Sequence, residues 1–350
     1  MRSAGLLLSV LVAAAASSAC GGGEPALVAS SWPEADALLH ADPRWLGADA
    51  AYTVGLGGSR VLWLFGDTFL AREPGGGRGD ALFLRNSIAV QTGLDPSRAL
   101  ISFSWGAAPD GERPGSFLAE DGADWFWPGG GARLGGSLLL FYGRIRAPAG
   151  DPHGFQRVGW RAILVGNPDE DPSAWNLRDA IVTESGSLAP GNAVLVVGDR
   201  LYAYAETSDS VHDIYLVRWA VTDAARGDLS APEWWCGGGW QRACARGPAV
   251  VVPTGAPELS VQPGGPLAPY LMVQTEGYGA ATLALRAAPA PEGPWSAPRT
   301  FFRPPESREV SQDVVYAGKG HPELAGPDVV STYVSADLYY PRFVRASYAR

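Results

Sequence analysis

Seven polar side chains stand where apolar runs of this sequence begin or end, and their types could move protons. Asp67 closes the run "LWLFGDTFL", Glu206 closes "YAET" and Glu276 sits in "QTEG"; Asp49 opens "GADAAYTV", Glu258 opens "PELSV", and Lys319 and His321 share "GKGHPEL". Carboxyl groups held near one another acquire different pKa values, so that one can donate a proton while another stays ionised. Each residue also has a plain structural use. An Asp after Gly is commonly a turn residue that bonds its own backbone, a strand-end Glu is commonly solvated, and a lone His is more often a hydrogen-bonding brace than a catalyst. Lys319 is the odd member, the only lysine beside 26 arginines. In a chain so biased toward Arg, it points to a position that needs a compact, flexible ammonium.

The elements that would carry these residues recur. Five hairpin-like units follow one another: "AYTVGLGGSRVLWLFGDT", "FWPGGGARLGGSLLLFYGR", "NAVLVVGDRLYAYAET", "PELSVQPGGPLAPYLMVQTE" and "GHPELAGPDVVSTYVSAD". Their second strands end near Asp67, Gly143, Glu206, Glu276 and Ser335, a loose period of the kind radial β repeats produce. Most units are followed by a third apolar strand and a fourth, polar-ended segment, as in "LALRAAPAPEGPWSAPRTFF". Beyond the first twenty residues no amphipathic helix longer than about twelve residues is evident. The expected fold is all-β, a five-bladed β-propeller of four-stranded blades; a two-sheet sandwich would not account for five similar hairpins. In a blade the first strand leaves one face and the second returns to it. Residues just before the first strand and just after the second should therefore meet at a central funnel, bringing the seven polar residues to one rim.

The net charge of −9 argues against nucleic acid as a partner, because phosphate binding needs a basic surface. With 46% apolar residues the chain is not disordered, and 45 Gly and 29 Pro punctuate it with turns. Thirteen Trp and twelve Tyr could line a sugar-binding cleft, although sheet packing uses such rings as well. At the N-terminus, Arg2, the apolar run Leu6–Ala16 and "SSAC" form a signal-peptide pattern too short to span a bilayer as a mature helix. Cys20 and the following "GGG" resemble a bacterial lipoprotein signal, with Ser17 departing from the Leu usual there; ordinary secretion is the alternative. The expected organisation is a signal over 1–19, a lipidated Cys20 with linker and N-terminal segment over 20–44, and the propeller domain over 45–350. The expected location is the bacterial cell envelope, outside the cytoplasm. There Cys236 and Cys244, in "WWCGGGWQRAC", should form a disulfide. A metal site would need further ligands nearby, and neither a metal nor a cofactor is expected.

The segments "LWLFGDTF", "RNSIAV", "PELSV", "LRAAPAPEGPWSAP" and "YAGKGHPEL" resemble the domain-of-unknown-function family 4185 and, more distantly, the five-bladed propeller glycosidases that act on furanosides. The resemblance covers residues 45–340 in broken pieces, with "FGDT" and "KGHPEL" its most specific parts. It implies an extracytoplasmic, glycoside hydrolase-like protein acting on a furanose-containing, arabinan-like polysaccharide or oligosaccharide. Two carboxyl groups would then flank the scissile bond. Asp49 or Asp67 is expected as the ionised group and Glu258 as the acid, with Glu206 its rival. Arg85, Asn86, Trp127, Glu276, Lys319 and His321 would bind hydroxyls or stack on sugar rings. A monomer held at the membrane by its lipid is expected. The alternatives are a lectin-like or scaffold propeller, for which a lone acid beside aromatics would speak, and a protein-interaction propeller with patches on its rim.

Overall fold

Strands covered on both faces read as unbroken apolar runs, and "VLWLF" (61–65) and "LLLF" (138–141) are runs of that kind. The computed structural model describes residues 26–150, 154–182, 187–207, 211–277, 281–307 and 314–349; the signal segment and Cys20 lie outside them. Leu62 and Leu64 pack toward Leu138 and Leu140 of one neighbouring sheet. Val61, Trp63 and Phe65 pack the opposite way, with Val330 and Phe343 of another. Among the described residues the only α-helical segments are the single turns Pro33–Asp36 and Val221–Ala224, so the sheets must cover one another.

There are five large antiparallel sheets. The first contains Tyr52–Gly57, Arg60–Phe65, Ser87–Thr92 and Leu100–Ser104; the second, Asp124–Leu134, Ser137–Arg146, Gln156–Val165 and Leu177–Asp179. The third runs from Ala189–Val197 through Arg200–Glu206, Ile214–Ala220 and Glu233–Trp235 to Trp240–Gln241. The fourth contains Leu259–Pro263, Tyr270–Glu276, Thr282–Ala288 and Arg299–Phe302, and the fifth Val315–Gly320, Val329–Ser335, Pro341–Tyr348 and Leu27–Ser31. An apolar cluster lies between each sheet and the next. Leu64 meets Leu140 between first and second, Phe141 meets Trp219 between second and third, and Tyr204 meets Leu259 between third and fourth. Leu283 and Tyr333 share the next cluster, and Phe343 with Trp63 returns to the first sheet. One sandwich interface cannot provide these separate cores: each sheet packs on the next in the chain, and the fifth packs on the first.

The N-terminal segment, read from the sequence as a linker, carries a strand. Leu27–Ser31 pairs with Pro341–Tyr348 as the outer strand of the fifth sheet, tying the two ends of the chain together. Behind it, Pro33–His40 buries Leu38 and Leu39, and the Asp36 carboxylate accepts from the Phe343 amide at 2.7 Å and Arg342 Nε at 2.8 Å. The fifth hairpin also differs from expectation: its first strand is Val315–Gly320, ahead of "HPELAGPD", which is the connection to Val329–Ser335. Pro322 cannot donate to a ladder. Gly318 and Gly320 are glycine because a Cβ would strike Leu283 and Thr275 at the first and Gln262 at the second, all in the fourth sheet. A bulge between Tyr316 and Lys319, with Ala317 at φ 56°, bends this strand. Cys236 and Cys244 form the expected disulfide, their Cα atoms 5.5 Å apart.

A chain begun at Pro43 would lose the outer strand and the buried Trp32, Leu38 and Leu39, a cost of about 5 kcal/mol from side-chain burial alone. Thermal unfolding followed by circular dichroism should show this shortened protein melting well below the chain that begins at residue 24. An unchanged melting temperature would mean that the strand is dispensable.

Candidate active site

The chain enters the first sheet through a strained turn. Ala50 and Ala51 both sit in the left-handed region, at φ 61° and 59°, where a side chain costs about 1 kcal/mol or more. This turn folds Asp49 back over the end of the second strand. The Gly66 amide donates to the Asp49 carbonyl at 3.1 Å and the Asp49 amide to the Asp67 carbonyl at 3.4 Å. A Cβ at Gly66 would overlap Asp49 Oδ1, so the glycine of "FGDT" is needed for the carboxyl to lie there. Asp49 Oδ2 accepts from the hydroxyls of Tyr316 and Tyr339, each at 3.0 Å. Burial, with the carboxylates of Asp67 and Glu258 nearby, pushes Asp49 up to about 8 against the pull of the two tyrosines.

Lys319 answers the question its singularity raises. Its ammonium is buried, at 1% exposure, and donates to Glu258 Oε2 at 2.6 Å, to the Ala317 carbonyl at 2.9 Å and to the Ala50 carbonyl. Three donors meet three acceptors, from the residue ahead of the fourth sheet, from the fifth sheet and from the turn that enters the first, with the Tyr52 ring centroid 4.5 Å away. A planar guanidinium could not reproduce that convergence. Burial lowers the Lys319 pKa and the Glu258 carboxylate opposes the fall.

Asp49, Asp67, Glu206 and Glu258 all line one cavity of about 910 Å³. Asp67 accepts from Trp127 Nε1 at 2.9 Å and lies 3.6 Å from Arg85 Nη1. Burial raises its pKa, and those two donors oppose the rise. The Arg85 guanidinium lies over the Trp125 ring, 4.2 Å from its centroid. Glu206 is gripped by Arg157 Nη1 at 2.5 Å and by His212 Nδ1 at 3.0 Å. Asn192 joins the third sheet to the fourth by donating to the Pro257 carbonyl at 2.7 Å, beside Glu258.

Four expected site residues, Glu276, Asn86, His321 and Lys319, are not in the cavity wall. Glu276 turns to Gln274 and to Arg286, 3.3 Å away. Asn86 is buried and braces backbone, donating to the carbonyls of Leu118 and Phe126 and accepting from the Leu118 amide. His321 lies between the first and fifth sheets, bonded to Thr53 and Thr332 and packed on Trp63. Burial and Lys319 push it down to about 3, so it is a neutral brace. Lys319 reaches the cavity floor only through Glu258. The residues that sequence reasoning missed are Tyr316, Tyr339, Arg157, His212, Trp125 and Phe155. One available signal was the repeated Pro-Gly of "WPGGGA" and "APGNAV": both innermost strands bulge there, and a Cβ on Gly129 would strike the Gly191 carbonyl. Among the described residues no three His, Cys, Asp or Glu side chains are grouped as metal ligands.

The fold is similar to that of known proteins. A presumed hydrolase from Bacteroides ovatus superposes with a TM-score of 0.71 at 18% identity, covering 93% of this chain and 92% of that one. The α-L-arabinofuranosidase PaAbf62A from Podospora anserina gives 0.48 at 11% identity over 87% and 97% of the two chains. The endo-arabinase from Bacteroides thetaiotaomicron gives 0.43 at 14% identity over 87% and 95%. No curated protein matches the sequence. The motifs quoted above resemble family 4185, whereas the family whose model matches, over residues 34–348, is described as "Domain of unknown function (DUF5005)". The chain belongs to the DUF5005 family.

Proposed function

We propose that the five sheets are the blades of a five-bladed β-propeller and that the central cavity hydrolyses glycosidic bonds in a furanose-containing, arabinan-like polysaccharide. The observation that carries the proposal is the Asp49 carboxyl, pushed up to about 8 in a cavity that also holds carboxylates paired with cations. Such a group is protonated at neutral pH and available as a general acid. Asp67 and Glu258 lie close enough to keep it so, as their charges raise its pKa. The ionised partner must stand across the bond from the donor. Glu206 comes from the third sheet, which does not adjoin the first, and Arg157 holds it at 2.5 Å. Asp49 then protonates the leaving oxygen while Glu206 takes the carboxylate's part. This division differs from the sequence expectation, which gave the proton to Glu258.

Incubating the protein with a panel of furanose and pyranose polysaccharides should release new reducing ends from at least one furanose polymer. Asp49→Asn and Glu206→Gln should each reduce that rate by about a hundredfold or more. The rate should fall as pH rises through about 8, where Asp49 loses its proton. Binding without any new reducing ends would replace hydrolysis by glycan binding, and cleavage that survives both substitutions would move the chemistry to Asp67 and Glu258.

We also propose that the protein is anchored in the bacterial envelope through a lipid on Cys20, supported by the apolar run Leu6–Ala16 and the small residues before Cys20. Cys20→Ser should move the protein out of the membrane fraction or leave its signal uncleaved. Fractionation identical to that of the unaltered protein would rule the anchor out.

A further inference from the structure

The cavity is two-sided. On the side of the third, fourth and fifth sheets its wall is polar, with Asn192, Glu206, His212, Glu258 and Tyr316. On the side of the first and second sheets, beside Asp49, Asp67 and Arg157, the wall carries a strip of aromatic rings with the Arg85 guanidinium among them. The Phe155 ring stands 4.7 Å from Trp127, and Trp127 stands 6.2 Å from Trp125. The Arg85 guanidinium lies 4.2 Å over Trp125 and 5.1 Å over Phe83, and Phe83 meets Phe69 at 5.3 Å. In the middle of the strip, Trp127 and Arg85 together hold Asp67.

Both ends of the strip are bare. Phe155 is 63% exposed and Phe83 46%, although each borders the cavity. Large rings left in water at two ends of one continuous surface mark a binding surface. The chemistry of the strip selects its occupant. A protein interface also uses aromatic rings and Arg, but it depletes carboxylates from its core. Here a guanidinium is interleaved between rings and a carboxylate sits beneath them. Flat faces bordered by in-plane N–H donors match a carbohydrate, whose C–H face packs on the rings while its hydroxyls take the hydrogen bonds. Phe83 and Phe155 stand at the two ends of the strip with Asp67 held in its middle, so a chain lying along it would extend to both sides of that acid.

Building on the glycan reading above, we propose that this strip from Phe83 to Phe155 is a track that holds a linear polysaccharide across the cavity. The substrate is then a polymer engaged within its length, and short oligosaccharides are poor substitutes. The test compares the full protein with Phe83→Ala, Phe155→Ala and the double variant, on linear arabinan and on arabinotriose, with melting temperatures to check that each variant is folded. The ratio of kcat/KM for polymer over trisaccharide should fall tenfold or more in the double variant, and Phe155→Trp, which keeps a flat ring, should restore most of the loss from Phe155→Ala. An equal loss on both substrates, or none, would overturn the track while leaving the cavity's chemistry standing. A protein that neither binds nor cuts any polysaccharide of the panel would remove the glycan reading and the track together.

Discussion

A buried ammonium fixes the centre of this molecule. Taking a lysine out of water costs several kcal/mol unless every donor finds an acceptor, and Lys319 finds them in or just ahead of three sheets at once. That condition shapes the backbone around it. The Ala50 carbonyl can face the ammonium because Ala50 and Ala51 take left-handed conformations, and the bulge at Ala317 puts a second carbonyl within reach. The same turn that aims Ala50 at Lys319 lays the Asp49 carboxyl over Gly66. One cation thus sets where the first, fourth and fifth sheets meet and where the acids of the cavity stand.

The acids are separated by their surroundings more than by their type. Glu206 has Arg157 and His212, Glu258 has Lys319, and Asp67 has Arg85 and an indole N–H. Asp49 has only two neutral tyrosine hydroxyls, and two carboxylates act on it. Four carboxyl groups in one cavity therefore divide into one inclined to keep its proton and three paired with a cation. This is the arrangement that acid–base chemistry on a neutral substrate requires. The aromatic strip, which holds Asp67 through Trp127 and Arg85, adds an apolar surface beside these acids.

Much of this is written locally in the sequence, and the remainder is not. The hairpins were legible because strands such as "VLWLF" are buried on both faces, which leaves an unbroken apolar run with a turn beside it. Asp49, Asp67, Glu206 and Glu258 were legible because they sit at the ends of those runs. The first strand of the fifth sheet was not, since the glycines of "YAGKG" look like a loop until the fourth sheet is seen pressed against them. Glu206 and Glu276 are indistinguishable in sequence, each a glutamate ending a second strand. Only the packing shows that one faces Arg157 in the cavity and the other Arg286 outside it. Tyr316 and Tyr339 reach Asp49 from a bulge and from a residue at φ 53°, placements that no periodicity announces.

The central claim is that Asp49 carries a proton at neutral pH. Carbon-detected NMR of the side-chain carboxyls, with the Asp49 signal identified by its loss in Asp49→Asn, measures this directly and needs no substrate. A midpoint near 8 for Asp49 is expected. A midpoint near 4, the ordinary value for an aspartate, would leave Asp49 ionised and without a proton to give.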